Sequence, residues 1–337
     1  MTVATAAHDL AVIIASTNEA QWLEPCLGTL FEHAGDIALD VVVVDNDSSD
    51  GTREYVESNF PAARVVHSLN RGFAHANNRG AMTCDARYVL FLNPDTEIVS
   101  GSLGHLVAAM DERPQVGLVG VRQLAGDGTL WPTVRYFPSA ARAAADALGF
   151  ERLPSRLRCL GERELRLERY DREVVCDWTS GSFMLARREA LLSAGLMDER
   201  FFIYSEEPDL CLRLKRAGWE TRHLPTMTII HHAGKGGVRP KMIAQDLFSR
   251  RQYAHKHLSP FARRAYLGAM FARHAIRAFA PVPRDGSEDR KAAGRRAVRT
   301  LLGRVPPPYG EPARVAVAPA RDPHPVAQAP NGRPVLR

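Results

Sequence analysis

The stretch Tyr88-Val89-Leu90-Phe91-Leu92-Asn93-Pro94-Asp95-Thr96-Glu97 decides the fold of this chain. It begins as a continuous apolar run, which is typical of a strand buried on both faces of a parallel sheet. Pro94 cannot extend a central strand, so the chain must turn after Asn93. Asp95 is therefore predicted just beyond the carboxyl end of a buried strand, where open α/β sheets bind their ligands. A carboxylate there can hold a divalent cation, although an Asx turn without chemistry fits the same residues.

Three more apolar segments precede this one, and each is followed by polar residues. The pairs are residues 10–15 with 16–19, 40–44 with 45–52, and 63–66 with 70–80. Helical patterns separate the strands, so the alternation predicts an α/β fold with a mostly parallel sheet and helices on both faces. Acceptor-rich loops that meet at one sheet edge suit a nucleotide pocket, although capped turns of any parallel sheet could look alike. The glycines and amides of residues 70–80 suit a backbone that approaches a ligand closely, but the G-x-G-x-x-G fingerprint is absent.

Composition and charge restrict the class of protein. The chain has 337 residues, of which 45% are hydrophobic, as expected of a globular protein with a real core. Its five cysteines are scattered and lack C-x-x-C spacing, which favours reduced thiols in the cytoplasm over a disulfide framework or a zinc site. No signal-peptide pattern and no apolar run of about 18 residues is evident, so we expect a cytoplasmic protein, at most peripheral on a membrane. The net charge of +6 indicates an acidic partner, such as phosphate, nucleic acid or an anionic bilayer.

The ordered set of loop motifs resembles the inverting GT-A glycosyltransferases of glycosyltransferase family 2. Within that family it looks most like the bacterial group that includes rhamnosyltransferases. The motifs are Ile14–Asn18, Val44–Thr52, Asn70–Phe73 and Leu92–Asp95, and the resemblance covers roughly residues 10–240. It implies the GT-A fold followed by carboxyl-terminal helices, and a metal-dependent reaction that uses a nucleotide-sugar donor.

The resemblance also implies which residues hold the donor and the metal. The expected donor-binding residues are Ala15, Ser16, Thr17, Asn18, Glu19, Asp45, Asp47, Asn70, Gly72, Phe73, Asn77, Asn78 and Asn93. Asp95 and His231 are the expected ligands of Mg²⁺ or Mn²⁺, and His231 fits the family spacing better than His232. Two departures stand out. Asn93-Pro94-Asp95 replaces Asp-x-Asp and leaves one carboxylate, and Asn77-Asn78 replaces Arg-Asn, which makes any phosphate contact there neutral.

A second group of candidates lies later in the chain. Trp178, Ser180 and Gly181 correspond to the floor of the acceptor site in the family, although a packing aromatic followed by a turn fits equally. Glu206, Glu207 and Asp209 crowd three carboxylates into four positions, so one can have the raised pKa of a general base. A well-capped helix without catalytic function is the alternative. The family places its base at Glu207, whereas Glu206 would orient the acceptor and Asp209 would be held ionised by the helix N-terminus.

These assignments divide the chain into three parts. Residues 1–240 are expected to form the catalytic domain, with about 10–121 binding the nucleotide-sugar and 122–240 the acceptor. Residues 241–280 carry basic helical patterns that either lie on an anionic bilayer or pack on the sheet. Residues 281–337 are rich in Pro, Arg, Ala and Gly, which predicts a disordered tail.

The predicted activity is transfer of a sugar to a saccharide or lipid-linked acceptor in cell-surface polysaccharide synthesis, and the resemblance implies rhamnose from dTDP-rhamnose as that sugar and donor. UDP-hexose is the alternative donor. A noncatalytic nucleotide-sugar-binding protein is a rival, as is a nucleic-acid-binding protein. No RRM, KH or zinc pattern supports nucleic acid as a partner, so none is expected.

Overall fold

A computed structural model of the chain describes residues 6–150, 160–232, 240–279 and 287–309. Nine strands form the sheet: β1 His8–Ser16, β2 Leu39–Asn46, β3 Ala63–Ser68, β4 Ala86–Leu92, β5 Thr96–Ser100, β6 Val116–Ala125, β7 Val174–Cys176, β8 Phe183–Arg187 and β9 Glu220–His231. The α-helices in the described ranges are α1 Ala20–Glu32, α2 Thr52–Asn59, α3 Phe73–Met82, α4 Leu103–Asp111, α5 Ala140–Ala147, α6 Arg188–Ala194, α7 Glu206–Arg216, α8 Pro240–His257, α9 Pro260–Phe279 and α10 Ser287–Leu301.

The strands lie in the order β3-β2-β1-β4-β8-β6-β9-β5, and β7 also pairs with β9. Strands β1 to β4 are parallel neighbours, and β6 and β9 run in the same direction. Strands β5, β7 and β8 are antiparallel to their neighbours. The mostly parallel α/β sheet is therefore confirmed, and the three antiparallel strands are an addition that the apolar runs did not predict.

Alternate side chains of the central strands bury two separate cores. On β1, Leu10, Val12 and Ile14 point to the face covered by α1, α2 and α4. Ala11 and Ile13 point to the opposite face, which α3, α6 and α7 cover. Both faces of the sheet are thus apolar, as expected for strands that read as continuous hydrophobic runs. Helices on both faces are confirmed.

The turn after β4 places Asp95 as predicted. The backbone N–H of Asn93 donates to the carbonyl of Ser182 at 3.0 Å, and the chain then reverses into β5. Strand β5 pairs antiparallel with β9 in a register that sets Thr96 opposite His231. The short strand β5 was not predicted, yet its register is what brings the end of β9 beside the Asp95 turn.

The carboxyl-terminal helices form a small core of their own with α5. Ala143, Leu247, Tyr266, Met270 and Leu301 are among its buried members. Helices α8 and α9 confirm the helical prediction for residues 241–280 over the described part of that range. In the described part of the chain, no helix is both long and apolar enough to cross a bilayer.

The prediction of a disordered tail from residue 281 is wrong for residues 287–301, which form α10. Ala297 and Leu301 lie four positions apart, so they share one face of this helix and are buried in the core with α8 and α9. That narrow apolar stripe is hidden in an arginine-rich composition. Residues 281–286 and 310–337 lie outside the described residues.

Candidate active site

Three loops meet at the carboxyl edge of β1, β2 and β3. The side-chain amide of Asn46 donates to the hydroxyl of Thr17 at 3.2 Å and to the carboxamide oxygen of Asn70 at 3.1 Å. The carboxamide oxygen of Asn18 accepts from the backbone N–H of Ser49 at 2.7 Å. The predicted meeting of these loops is confirmed, and it brings Ala15 through Glu19 together with Asp45, Asp47 and Asn70.

The first two loops depend on unusual backbone and on shared carboxylates. Asn18 and Asp47 have φ of 55° and 64°, the left-handed region that Asn and Asp tolerate best among residues with side chains. Asp50 accepts from the backbone N–H of Ala20 at 3.0 Å, so the first turn of α1 is capped from the second loop. Glu19, which occupies the N-cap position of α1, makes no side-chain cap bond itself.

Several groups at this edge are buried without a full set of partners. In the described part of the chain, neither the Ser16 hydroxyl nor the carboxamide oxygen of Asn46 has a hydrogen-bond partner, although both are buried. Asp45 is also buried, and one of its oxygens accepts from the backbone N–H of Ser48 at 3.1 Å. Buried polar atoms normally have partners, so a polar ligand such as a nucleoside fits this edge.

The third loop differs from its prediction. Gly72 has φ of 102°, and a Cβ on it would lie 2.2 Å from the carbonyl oxygen of Phe202. The backbone N–H of Phe73 donates to that same carbonyl at 2.6 Å. Close approach to the protein backbone is therefore enough to explain the glycine, and donor binding by Gly72 and Phe73 stays a prediction.

Asn77 and Asn78 lie inside α3 rather than in a loop. The amide of Asn78 donates to the carbonyl of Met197 at 2.9 Å, and its oxygen accepts from the Met197 N–H at 3.1 Å. The amide of Asn77 donates to the carbonyl of Phe73 at 3.0 Å. Both side chains are buried. The Asn78 amide ties α3 to Met197, and the Asn77 amide bonds within α3, so the geometry gives no support to a phosphate contact from either residue.

Asp95 faces a histidine at the other side of the site. The Nε2 atom of His231 lies 3.2 Å from Asp95 Oδ1 and 3.2 Å from the side-chain amide nitrogen of Asn93. His232 turns away, because its Nε2 atom lies 2.6 Å from Glu97 and its ring stacks on Trp22 with a centroid separation of 5.1 Å. Of the two histidines, His231 is therefore the one beside Asp95. Its role as a metal ligand stays a prediction.

These residues fit a cation only together with a substrate. Among the described residues, no group of three or more His, Cys, Asp and Glu side chains could hold a metal. Asp95 and His231 supply one carboxylate and one imidazole, and burial with the nearby Asp95 charge raises the pKa of Glu19 to about 7. Crowded carboxyl groups are favourable surroundings for a cation. Mg²⁺ is commonly held by one or two carboxylates plus phosphates, so a donor diphosphate would complete this set.

A short loop joins the Asp95 turn to the carboxylates of α7. Ser182 accepts from the Asn93 N–H, and one residue earlier the N–H of Gly181 donates to Glu207 Oε1 at 3.1 Å. A Cβ on Gly181 would lie 2.9 Å from the same Glu207 oxygen, so a larger residue there would displace the Glu207 carboxylate. The hydroxyl of Ser180 accepts from that of Ser182 at 3.1 Å. Gly181 therefore contacts Glu207, and acceptor binding by Ser180 and Gly181 stays a prediction.

Trp178 has a more ordinary environment. Its indole N–H donates to the carbonyl of Tyr136 at 2.9 Å, and the guanidinium of Arg135 lies 5.4 Å from the ring centroid. The side chain is buried. These contacts match the alternative of a packing aromatic, and acceptor binding by Trp178 stays a prediction.

The pKa values of Glu206 and Glu207 are both raised above the ordinary glutamate value. Burial raises the pKa of Glu206 well above its ordinary value, and the neighbouring Glu207 carboxylate raises it further. Burial also raises the pKa of Glu207, while its own backbone N–H, that of Gly181 and the Arg135 guanidinium oppose the rise. Glu206 is only 3% exposed, and its Oε2 atom has no partner within the described residues. Glu207 is the less buried of the two.

Asp209 is held in the opposite state. Burial would raise its pKa, but a hydrogen bond from His257 and the charges of Arg213 and Lys256 bring it below the ordinary value. The Nε2 atom of His257 lies 2.6 Å from Asp209 Oδ1, Lys256 Nζ lies 2.5 Å from the same oxygen, and Arg213 is 2.8 Å from Oδ2. The prediction that Asp209 is ionised is thus supported. The expected cause, the exposed N–H groups of the helix N-terminus, is wrong, because cations of α7 and α8 supply the stabilisation.

Sequence reasoning missed several residues that shape this site. Asn46 joins all three loops, and its position between Asp45 and Asp47 in a motif could have revealed it. His257 has no local signal, because its partner Asp209 is 48 positions away. The same holds for Ser249, whose hydroxyl donates to the carbonyl of Ile203 at 2.8 Å. Only the folded chain shows that α8 holds the segment before α7.

Comparison with known proteins identifies the family. The family model described as glycosyl transferase family 2 matches residues 11–191, more than half of the chain. The N-acetylglucosaminyl-diphospho-decaprenol L-rhamnosyltransferase of Mycobacterium tuberculosis is 32% identical over 235 residues, which is 66% of this chain and 76% of that protein. Rhamnosyltransferase WbbL of Escherichia coli K12 is 25% identical over 236 residues, covering 66% and 83% of the two chains.

A solved structure gives the fold independently. The crystal structure of GalNAc-T7 with UDP, GalNAc and Mn²⁺ superposes with a TM-score of 0.59 and 13% identity, over 88% of this chain and 56% of that one. At that identity the likeness concerns the fold alone, and the fold is GT-A. The sheet, the loop motifs and the family match agree, and this chain is a glycosyltransferase that belongs to glycosyltransferase family 2.

Proposed function

We propose that this enzyme is a metal-dependent inverting rhamnosyltransferase that transfers rhamnose from dTDP-rhamnose to a lipid-linked diphosphosaccharide. The observation that carries the proposal is the Glu207 carboxylate on the Gly181 N–H, in the loop that is also bonded to Asn93 beside Asp95. One short loop thus links a candidate base with the candidate diphosphate site. The mycobacterial relative, whose name states a rhamnose donor residue and a diphospho-decaprenol acceptor, supports the choice of substrates.

The residues divide the reaction between the two halves of the catalytic domain, about 10–121 for the donor and 122–240 for the acceptor. The loops around Asn46 bind the nucleoside, and Glu207 takes the proton of the acceptor hydroxyl. The acceptor oxygen forms a bond to the anomeric carbon as the bond from that carbon to the diphosphate oxygen breaks. A single displacement inverts the anomeric configuration, and the nucleoside diphosphate leaves. The base must be ionised when the acceptor binds. Glu207 meets this condition at a pH above its raised pKa.

Asp95 and His231 would hold a Mg²⁺ or Mn²⁺ ion, which supplies charge neutralisation for a departing diphosphate. Glu206 is too buried to reach an acceptor, and its carboxyl supports the loop in front of α7 through the backbone of Tyr204. Both carboxylate oxygens of Asp209 already contact Arg213, Lys256 or His257, so this residue is unsuited to accept a proton from the acceptor. Of the three carboxylates, Glu207 is left as the base.

The acceptor implies a bilayer surface, and α9 is the element that we propose contacts it. Phe261 and Ile276 are 83% and 60% exposed, and Arg264 is exposed on the same helix. An exposed face with aromatic, aliphatic and cationic side chains suits an anionic membrane. Arg250 and Lys256 are ion-paired inside the protein, so the charge available for lipid is smaller than the sequence predicted. Phe261→Ser with Arg264→Gln should reduce binding to anionic vesicles; unchanged, salt-insensitive binding would exclude this surface.

A donor panel tests the proposed reaction. Thermal unfolding is measured with dTDP-rhamnose, UDP-glucose and UDP-N-acetylglucosamine, each with Mg²⁺ or with chelator, because a ligand bound only to the folded state raises the midpoint. We expect stabilisation by dTDP-rhamnose that needs the metal, and release of dTDP when an N-acetylglucosaminyl diphosphate acceptor is added. Stabilisation by a UDP-sugar alone would select the alternative donor. Donor binding without turnover of any acceptor would support the noncatalytic alternative.

A further inference from the structure

A cavity of about 410 Å³ lies between the carboxyl-terminal helices and the segment that leads into the catalytic carboxylates. Helices α5, α8 and α9 form its walls, and Tyr204, two residues before Glu206, closes one side. Its volume falls in the range of roughly 300–1,000 Å³ that is typical of small-molecule sites. It lies outside the loops that the family motifs identify, since most of its wall follows residue 240.

The cavity is adjacent to Glu207. The hydroxyl of Ser249 on α8 donates to the carbonyl of Ile203 at 2.8 Å, which fixes the wall of the cavity against the residue before Tyr204. Tyr204 and Ser205 both have φ of 70°, a conformation that is costly for residues with side chains. With this backbone conformation Tyr204 lines the cavity, and α7 begins two residues later at Glu206. Asp246, which also lines the cavity, is close enough to Glu207 to raise its pKa.

The cavity is lined by both carboxylate and guanidinium groups, so their charges largely cancel. Arg250 pairs with Glu162 and, at 3.0 Å, with Asp246. The remaining charged pair is Asp146 and Arg273, whose charges interact across the cavity. Within the described residues, Arg273 has no carboxylate at ion-pair distance and the Tyr204 hydroxyl makes no hydrogen bond. A diphosphate here would meet three carboxylates, so the balance of charge favours a neutral ligand.

The apolar part of the wall completes the chemistry. Ile243, Leu247 and Met270 line the cavity beside the charged groups. Sugar hydroxyls can donate to carboxylates and accept from a guanidinium or a phenol, while the C–H faces of a sugar ring pack on aliphatic side chains. A ligand of this kind matches both parts of the wall. A purely apolar lipid chain would leave the charged groups without partners, at a cost in free energy.

We propose that this cavity binds the neutral saccharide portion of the acceptor and that Tyr204 and Arg273 contact its hydroxyls. The inference rests on the proposed glycosyl transfer and assigns part of acceptor recognition to α5, α8 and α9, outside the loops that bind the donor and largely beyond the stretch that matches the family model. The carboxyl-terminal helices then select the acceptor, whereas the loops at the sheet edge bind the donor.

Two acceptor probes and three variants test the assignment. The probes are N-acetylglucosaminyl diphosphate with a short alkyl chain and octyl N-acetylglucosaminide, which has the sugar without the diphosphate. Tyr204→Phe keeps the ring and its packing, Arg273→Gln removes the charge, and Ile243→Trp fills the cavity. Arg295→Gln, an exposed residue of α10, is the control. We measure dTDP release against acceptor concentration, donor KM, donor hydrolysis without acceptor, thermal unfolding, and binding of the octyl glycoside by ligand-observed NMR.

We expect the KM for both acceptors to rise about fivefold for Tyr204→Phe, the effect of one lost hydrogen bond, and more for Arg273→Gln. Ile243→Trp should abolish glycoside binding by NMR. Donor KM, donor hydrolysis and the thermal midpoint should match Arg295→Gln. An effect of Arg273→Gln on the diphosphate probe alone would overturn the sugar assignment in favour of a diphosphate site, and unchanged acceptor constants would overturn it entirely. Glycoside binding that Ile243→Trp abolishes, in a protein that transfers nothing, would support the cavity and refute the proposed reaction.

Discussion

The two sides of the site are held together by different interactions. One side is the proposed donor edge, which consists of the loops around Asn46, and the other is the proposed acceptor side at the start of α7. At the donor edge, Asn18, Asn46 and Asn70 connect three loops through amide, hydroxyl and backbone groups. On the acceptor side, Asp209 is fully buried among Arg213, Lys256 and His257. Neutral hydrogen bonds are each worth about 1 kcal/mol, whereas breaking a buried ion pair costs several times more.

This difference suggests a division of tasks. The donor edge is joined by weak bonds and leaves buried acceptors such as the Ser16 hydroxyl without partners among the described residues, so it can adjust to a nucleotide. The acceptor side is tied down by charges that fix the start of α7. Glu207 then stays close to Gly181 with a raised pKa while Asp209, two residues away, stays ionised. A single helical turn thus carries both the proposed base, Glu207, and the buried carboxylate of Asp209 that fixes the helix.

Asp209→Asn should have the largest effect on the protein. The substitution keeps the size of the side chain but leaves Arg213, Lys256 and His257 facing a neutral amide. Removing one partner of a buried pair costs about 3–5 kcal/mol, so we expect the free energy of unfolding to fall by that amount. Urea denaturation measures it. Glu57→Gln, which removes an exposed ion pair with Arg53, is the matched control and should leave the free energy of unfolding nearly unchanged.

The dependence of this effect on pH follows from the direction of the pKa shift. The pKa of Asp209 is lower in the folded state than in the unfolded chain, where it is about 3.9. The stabilisation is therefore present above about pH 4 and is lost as the pH falls through the lowered pKa. The wild-type protein and the Asp209→Asn variant should converge in stability at acid pH. A constant difference at every pH would contradict the ionic explanation.

Glu207→Gln should reduce transfer by about 10²-fold or more, because the amide cannot accept the proton of the acceptor. The donor Kd should change little, since the Glu207 carboxylate accepts from the Gly181 N–H rather than from the loops proposed to bind the donor. Steady-state kcat and calorimetry of the donor separate these effects. Glu207→Asp should retain part of the activity, since it keeps the carboxylate on a shorter arm.

The matched variant for Glu207 is Glu206→Gln, which changes a buried neighbour of the same type. The wild-type rate should fall as the pH is lowered through the pKa of Glu207. Because that pKa is raised, the fall should begin at a pH above the ordinary glutamate value of about 4.3. The acidic limb should disappear from the residual rate of the Glu207→Gln variant. A Glu207→Gln protein with a near wild-type rate, beside an inactive Glu206→Gln protein, would move the base to Glu206 and leave the glycosyltransferase family unchanged.

Local patterns predicted the donor half of the fold well. The apolar run before Asn93, the turn at Pro94 and the polar ends of three strands each depend on neighbours in sequence, so the position of Asp95 could be inferred. The prediction became inaccurate where amides and glycines serve the protein rather than a ligand. Gly72 approaches Phe202, and Asn78 bonds Met197, which is 119 positions away. Nothing in the local pattern distinguishes these partners from a phosphate.

In the acceptor half, the sequence predicted which carboxylates lie at the site but not which residues hold them in place. The carboxylates at the start of α7 were identified, yet partners of Asp209 come from α8, and the cavity beside Tyr204 is assembled from three helices. The basic helical patterns of residues 241–280 left lipid contact and packing on the protein open, and Arg250 and Lys256 prove to form ion pairs inside the protein. Helix α10 was missed because its buried face is small. Each of these features depends on contacts between distant segments, which periodicity alone does not encode.

Asn46→Ala should have a smaller effect than Asp209→Asn or Glu207→Gln. Which kinetic constant it changes is the sharpest test of the difference between the two sides of the site. The change removes two hydrogen bonds to Thr17 and Asn70, each worth about 1 kcal/mol. If the donor edge is ordered by these bonds, donor KM should rise about five- to tenfold while kcat at saturating donor changes less than about twofold. Asn59→Ala, an exposed asparagine of α2 that bonds the carbonyl of Tyr55, should leave both constants unchanged. A fall in kcat with unchanged donor KM would mean that Asn46 acts on the reacting groups, and the two sides of the site would then not be as separate as their bonding indicates.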